Sequence, residues 1–148
     1  MNGLIEIKEI SSIETYSVRH PVLREGRPIE DCKFEGDDLE STFHLGLFYE
    51  NILVGVASFM KNNLDLFLDE HQYQLRGMAV LKAYQGKQLG DALFKYGETL
   101  LVSKNVTLTW FNAREIAVNF YKRNGCHIIG QPFGIKDIGT HYVMFKKI

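Results

Sequence analysis

What this chain has little of already narrows its chemistry. It has only two cysteines, Cys32 and Cys126. They show no metal-ligand spacing, so the sequence predicts no metal site and two free thiols in a reducing compartment. Net charge is nearly absent: 17 Lys and Arg stand against 18 Asp and Glu, a formal -1. No basic stretch stands out, which argues against nucleic acid as a partner, since such binding needs a Lys/Arg face. No run approaches the ~20 apolar residues of a membrane span. Residues 1–10 contain acidic side chains and no apolar run of signal length. These absences predict a cytoplasmic protein with no membrane partner. Internal repeats, low-complexity tracts and linkers are missing too. So are two nucleotide-binding signatures, Gly-x-x-x-x-Gly-Lys-Ser/Thr and Gly-x-Gly-x-x-Gly.

What is there suits one globular unit. A chain of 148 residues, 45% of them hydrophobic, buries roughly two-thirds of its unfolded surface, so residues 1–148 read as a single domain. Leu4–Ile10 alternates apolar and polar, as a half-buried strand does. Ser11 and Glu14 have capping-box spacing, each side chain able to bond the other's backbone N–H. A helix then runs to about His20, where Pro21 disturbs it. Residues 24–41 are polar and read as a loop. Thr42–Tyr49 and Ile52–Phe59 form a hairpin about Glu50-Asn51, and residues 61–71 look irregular.

Tyr73–Leu81 is a further strand. From Gln88 to Ser103 the period becomes helical, with Leu89, Leu93, Tyr96-Gly97 and Leu100-Leu101 on one stripe. Val106–Trp110 is a β-branched strand. Arg114–Arg123 reads as a short helix with Ile116, Ala117, Phe120 and Tyr121 inward, closed by Gly125 as a left-handed cap. Cys126–Ile129 and His141–Lys146 are the last strands. The order β-α-β-β-β-α-β-α-β-β is a mixed α/β sheet.

The informative stretch is Leu75-Arg76-Gly77-Met78-Ala79-Val80-Leu81-Lys82-Ala83-Tyr84-Gln85-Gly86-Lys87-Gln88-Leu89-Gly90. A strand enters a short polar, glycine-bearing loop that opens a long amphipathic helix. The first N–H groups of a helix lack internal partners and lie at the positive end of its dipole. A diphosphate uses both features. Taken alone, a Gly-x-x-x-Gly loop is more often a plain strand-to-helix turn.

This stretch resembles the acetyl-CoA loop of the GNAT superfamily of N-acetyltransferases, Gln/Arg-x-x-Gly-x-Gly/Ala after an apolar strand ending Ala-Val. Gln85 and Gly90 match its ends, while Gln88 stands where the middle glycine is usual. Asn112-Ala113-Arg114 and Ala117-Val118-Asn119-Phe120-Tyr121-Lys122-Arg123-Asn124-Gly125 resemble the family's later motif, with Cys126 in the place of a usual Phe. The two motifs together span roughly residues 74–130. The segment Val18–Pro28 is also similar to one in small bacterial members of unassigned substrate.

The resemblance implies a mostly antiparallel sheet, splayed between two central parallel strands, Tyr73–Leu81 and Val106–Trp110, and flanked by helices. It implies acetyl-CoA as co-substrate, with the pantetheine arm along Met78, Ala79 and Val80. Main-chain groups of Gln85, Gly86, Lys87, Gln88, Leu89 and Gly90 would hold the diphosphate. Asn112, Ala117, Asn119 and Phe120 would meet the arm from the other strand and its helix. An amine of reference pKa near ~10.4 has to lose a proton before attack, and a phenol can protonate the departing thiolate. Tyr121 occupies the family's position for this general acid, which predicts a rate that falls at high pH as the phenol ionises. The oxyanion would be met by the strand amide near Val80.

The general base stays open among Glu70, His71, His44 and water. The acceptor, a small-molecule or peptide amine, would lie near Val18–Pro28, where Asp37 and Asp38 could attract a cation. His141-Tyr142 could also face it. A transferase of longer acyl groups and a non-catalytic acyl-CoA-binding or sensing module are the alternatives. A homodimer is allowed for.

Overall fold

The computed structural model describes residues 4–148. Seven strands alternate with three helices in the expected order. They are β1 Ile5–Ile10, α1 Tyr16–Leu23, β2 Phe43–Tyr49, β3 Ile52–Lys61, β4 Gln72–Val80, α2 Leu89–Ser103, β5 Leu108–Arg114, α3 Val118–Arg123, β6 His127–Ile135 and β7 Gly139–Lys147. The sheet order is β1-β2-β3-β4-β5-β7-β6, and β4–β5 is a parallel pair. Tertiary contacts group the chain into two compact units. The first runs to Met60 and resumes from Leu75 to Leu100; the second comprises Lys61–Gln74 and Leu101–Ile148. Strand β4 therefore contributes to both.

In the first unit, β2 and β3 form the hairpin that their alternation predicts. Glu50 and Asn51 both have positive φ, 48° and 70°, the pairing that a two-residue turn needs to match strand twist. Leu45, Leu47, Val54 and Val56 fill the interior. Helix α1 packs Val18 against Val56 and Ala79, with Val22 and Leu23 at the edge. The capping box at its entry forms as expected. Ser11 N–H bonds Glu14 Oε1 at 2.8 Å, and Glu14 N–H bonds Ser11 Oγ at 3.2 Å. Those bonds, the backbone one foremost, hold the Glu14 carboxyl below its usual pKa.

The helix itself departs from expectation. The segment opens as a 3-10 turn, Ile13–Thr15, and α1 then carries Pro21 inside it. Pro21 withholds one N–H from the helix, but Val18 and Arg19 on its inner face are fully buried and keep the turn in place.

Residues 24–41 are not a plain surface loop. They contain a 3-10 turn, Ile29–Cys32, and send Cys32, Phe34 and Asp37 into the interior. Helix α2 buries Leu89, Leu93, Phe94 and Leu101, while Tyr96, expected on the stripe, is 40% exposed. Leu89, Leu93, Gly97 and Leu101 recur every four residues, with Phe94 beside them, and this row passes Tyr96 by.

In the second unit β4 and β5 pair in parallel at Gln72–Leu108, Tyr73–Thr109 and Gln74–Trp110. The ladder stops there, although β4 runs on to Val80 and β5 to Arg114. Strand β5 begins two residues later than its composition predicts. Val106 N–H closes α2 on the Leu101 carbonyl and Thr107 N–H bonds His71. It also runs further, to Arg114, because β7 pairs with it along its whole length.

The irregular stretch 61–71 is tied down by buried Gln72, whose side chain bonds Leu64 N–H and the Asp69 carbonyl. Trp110 Nε1 also donates to the Asn62 carbonyl. Ile116, expected inward, is 91% exposed. The segment starts as a 3-10 turn, Glu115–Ala117, and α-helical spacing begins only at Val118. Val118 and Tyr121, three apart, then take the inner face.

Candidate active site

In the first unit, β4 delivers the chain to the loop. Ala79 is buried, whereas Met78 and Val80 are half-buried on either side of it, as a pleated strand requires. Leu81 N–H bonds the Val54 carbonyl at 2.8 Å, which ties the strand's end to β3. A 3-10 turn, Lys82–Tyr84, follows. Gln85 folds back, its side-chain Nε2 donating to the Val80 carbonyl at 2.9 Å. The Gln85 amide thus braces the loop on the strand.

Residues Gln85 to Gln88 are all exposed. Gly86 has φ +79° and Gln88 φ +63°, with Lys87 between them at negative φ. Such alternation turns successive N–H groups toward one concavity, a shape that takes anions. The next N–H groups belong to the first turn of α2 and have no helical partner. Leu89 is buried and anchors the helix start.

Gln88 settles a question that its sequence raises. It takes the left-handed conformation that a glycine would, so the loop keeps its shape without the glycine. For an L residue this costs roughly 1–2 kcal/mol. Gln88→Gly should therefore leave stability unchanged or raise it by up to about 1 kcal/mol. Gln88→Val, branched at Cβ, should lower stability by more than about 1 kcal/mol. Urea unfolding midpoints of both variants check this; an unaffected Val variant would mean that the loop adopts another conformation in solution.

In the second unit, α3 places Tyr121 under β5. The Tyr121 and Phe111 rings lie 4.2 Å apart, and Phe120 stands edge-on at 5.0 Å. Tyr121 is 7% exposed. Burial, with a smaller contribution from the Cys126 thiol, pushes its phenol well above the ordinary tyrosine pKa. The Tyr121 carbonyl accepts from Asn124 and Cys126 N–H groups, which closes the helix. Asn112 and Asn119 are exposed, Ala117 and Phe120 half-buried. All four thus present some surface to solvent.

The candidate bases separate clearly. His44 is buried, with Nε2 2.9 Å from the Asp37 carbonyl and Nδ1 2.7 Å from Ser58 Oγ. A carbonyl only accepts, so Nε2 carries the proton. Ser58 Oγ already accepts from Arg19 Nη2 at 2.8 Å, so its own proton falls to Nδ1. Both nitrogens are committed, and His44 is a structural residue of the first unit. Glu70 and His71 are exposed in the second unit. His141 is buried, with Nδ1 2.9 Å from the Gly139 carbonyl and its ring near Phe133. Tyr142, its neighbour on the strand, donates its hydroxyl to Glu115 at 3.3 Å.

Asp37 does not attract a free amine. It is buried in a two-pronged ion pair with Arg19, at 2.6 and 3.0 Å, and also accepts the Phe34 N–H at 2.9 Å. Asp38 is exposed and pairs with Ser12 and Lys33, bonds that hold its carboxyl below the usual range.

A strand, an anion-shaped loop and a long helix, followed by a second strand with a buried tyrosine, match a known family of enzymes. Residues 5–126 fit the family model described as Acetyltransferase (GNAT) family. The chain belongs to the GNAT acetyltransferase family. It is therefore an acyltransferase. It is 39% identical over 145 residues to the uncharacterized N-acetyltransferase YitI of Bacillus subtilis, covering 98% of this chain and 97% of that one. Its fold matches an aminoglycoside 6'-N-acetyltransferase complexed with coenzyme A, at TM-score 0.75 and 14% identity over 96% of each chain. It also matches the ribosomal-protein-S18-alanine N-acetyltransferase of Escherichia coli, at TM-score 0.74 and 17% identity, covering 98% of this chain and 94% of that one. At such identities the two structures speak for the GNAT fold alone.

Proposed function

We propose that residues 1–148 act as one N-acetyltransferase domain that takes the acetyl group of acetyl-CoA and delivers it to a primary amine by direct attack. The observation that carries this reading is the loop Gln85–Gly90, with alternating φ signs at Gly86–Gln88 and exposed residues Gln85–Gln88, leading into the start of a long helix. A diphosphate fits that combination. Gln85, Gly86, Lys87, Gln88, Leu89 and Gly90 hold it through main-chain donors. Met78, Ala79 and Val80 present strand backbone to the pantetheine arm, and Asn112, Ala117, Asn119 and Phe120 flank it. Acetyl-CoA supplies an activated thioester; the protein's task is to position it, exclude water and move protons.

Tyr121 serves as the general acid. A tyrosine phenol is protonated at neutral pH, the form in which an acid must wait, and burial extends that to higher pH. The same burial makes it a weaker acid, so its catalytic worth falls in the lower part of the usual range of ~10²–10⁴. With His44 occupied, water, Glu70 or His71 takes the amine's proton.

Because Gln88 holds a glycine's conformation, it offers no ground for reading the chain as a non-catalytic acyl-CoA module. Coenzyme A should raise the melting temperature, with about 2.7 kcal/mol of stabilisation at a hundredfold over its dissociation constant. Gly90→Glu should abolish that shift and change the unliganded melting temperature far less, because its carboxylate repels the diphosphate at the helix start, where Gly90 is half-buried. No thermal shift and no calorimetric heat at millimolar acetyl-CoA would refute the proposed function. Equal shifts in the variant and the parent would move the cradle elsewhere.

A further inference from the structure

The ring of Phe34 carries an unusual load of positive charge. Three guanidinium carbons lie over it: Arg19 at 4.0 Å, Arg76 at 4.8 Å and Arg24 at 4.9 Å. Asp37 neutralises Arg19. Arg76 is less closely matched: among the described residues its hydrogen bond is a long one, 3.4 Å from Nη1 to the Glu35 carbonyl, and the Asp37 and Glu35 carboxylates attract it only from beyond ion-pair distance. Burial, and then repulsion from Arg19, hold Arg76 below the usual arginine pKa. The donor excess continues inside, where Arg19 Nε is fully buried with no partner.

The backbone is built for this arrangement. Gly77 has φ +64°, and a Cβ there would stand 2.9 Å from Phe34 and 3.2 Å from Arg19 Nε. Only a glycine lets Phe34 and Arg19 close against β4. Arg76 is held beside that contact, on the same strand as Met78 and two residues before it.

We propose that Arg76 binds the carboxylate of the acceptor, so that the acceptor is an amino-acid-like amine rather than a polyamine or an aminoglycoside. The inference rests on the proposed function only in placing the acetyl group along Met78–Val80. Two residues of chain, at most about 7 Å, separate Arg76 from Met78, with the left-handed Gly77 turning the strand between them. A small molecule bearing both amine and carboxylate spans that distance with the reach of the arginine side chain. Stacking on Phe34 fixes the plane of the guanidinium. A fixed fork is the geometry that takes a carboxylate through two parallel bonds. A polyamine brought to the same place would meet like charge. Arg76 is thus a specificity residue of the acceptor, not a catalytic one.

The test compares amino acids with their carboxamides, which keep the amine and lose the charge, and with aminoalkyl phosphates. A carboxamide lowers the basicity of its amine and leaves more of it neutral, so an enzyme blind to the carboxylate favours the carboxamide. The parent enzyme should prefer the carboxylate. Arg76→Gln should raise KM for the amino acid roughly ten- to a hundredfold, the worth of a charge-assisted hydrogen bond, with kcat little changed. It should leave carboxamide kinetics and acetyl-CoA affinity as they were, and Arg76→Lys should restore part of the loss. Thermal-shift titrations with an amino acid and its carboxamide, coenzyme A present, read the same discrimination without turnover.

Equal use of carboxamides or polyamines, better use of phosphates, or an unchanged preference in Arg76→Gln would overturn the proposal. A protein that shows no shift with coenzyme A fails the proposed function instead. A carboxylate-selective shift without coenzyme A would then still uphold the Arg76 site, and its absence would overturn it.

Discussion

Replacing Tyr121 by phenylalanine should lower turnover by roughly 10²–10⁴, toward the lower end, while acetyl-CoA affinity stays near the parent value. The substitution removes one hydroxyl and keeps the ring against Phe111 and Phe120, so stability should fall by no more than about 1–2 kcal/mol. A residue that merely packs would show neither the kinetic loss nor its confinement to the chemical step. Pre-steady-state acetyl transfer, with acceptor in excess, separates these outcomes. A folded variant with the parent's chemical rate would remove Tyr121 from the mechanism.

The raised phenol also gives the protein a signature in pH. A group whose folded pKa lies above its unfolded value binds its proton more tightly in the fold. Its contribution to stability is complete below the unfolded tyrosine value near ~10 and is lost as pH climbs from there toward the folded value. Burial of Tyr121 is the cause. The parent should therefore lose stability more steeply above pH ~10 than Tyr121→Phe does, as alkaline unfolding curves would show. The alkaline fall in rate expected from the sequence moves upward with the phenol, above pH ~10, and ordinary assays at pH 7–9 should not meet it.

The second large effect is on the fold. Asp37→Ala should destabilise the protein by about 3–5 kcal/mol, because it strands the Arg19 guanidinium in a site with no access to solvent. Arg19 and Asp37 side chains are both 0% exposed. Against a total of ~5–15 kcal/mol for a typical domain, that loss shifts the melting temperature by roughly 6–20 °C. Arg19→Met should cost a similar amount. The double variant should recover part of it, since a buried pair replaced by apolar groups is often tolerated. Asp38→Ala, one residue on, removes only exposed partners and should leave the melting temperature almost where it was. Melting curves of the four variants test this; a mild Asp37→Ala would mean that water reaches the pair.

Local pattern made much of this protein legible in advance. The capping box, the Glu50-Asn51 turn, the order of strands and helices, and the switch to helical spacing at the start of α2 all depend on neighbours in the chain. Propensity and periodicity report such features directly. The two motifs that point to the GNAT family are also local runs, because an anion cradle and a strand-to-helix turn are made from consecutive backbone groups.

Tertiary structure alone decided where the segment 24–41 sits. Its polar composition predicts a surface loop, yet Cys32, Phe34 and Asp37 are interior. Their partners Arg19, Arg76 and Gly77 lie far from them along the chain, and no spacing rule joins a buried arginine to an aspartate eighteen residues away. The same holds for His44, which chemistry marks as a base and packing turns into a strut. A hydrogen bond between distant side chains depends on how elements pack, and that is settled by the whole core rather than by any stretch of sequence.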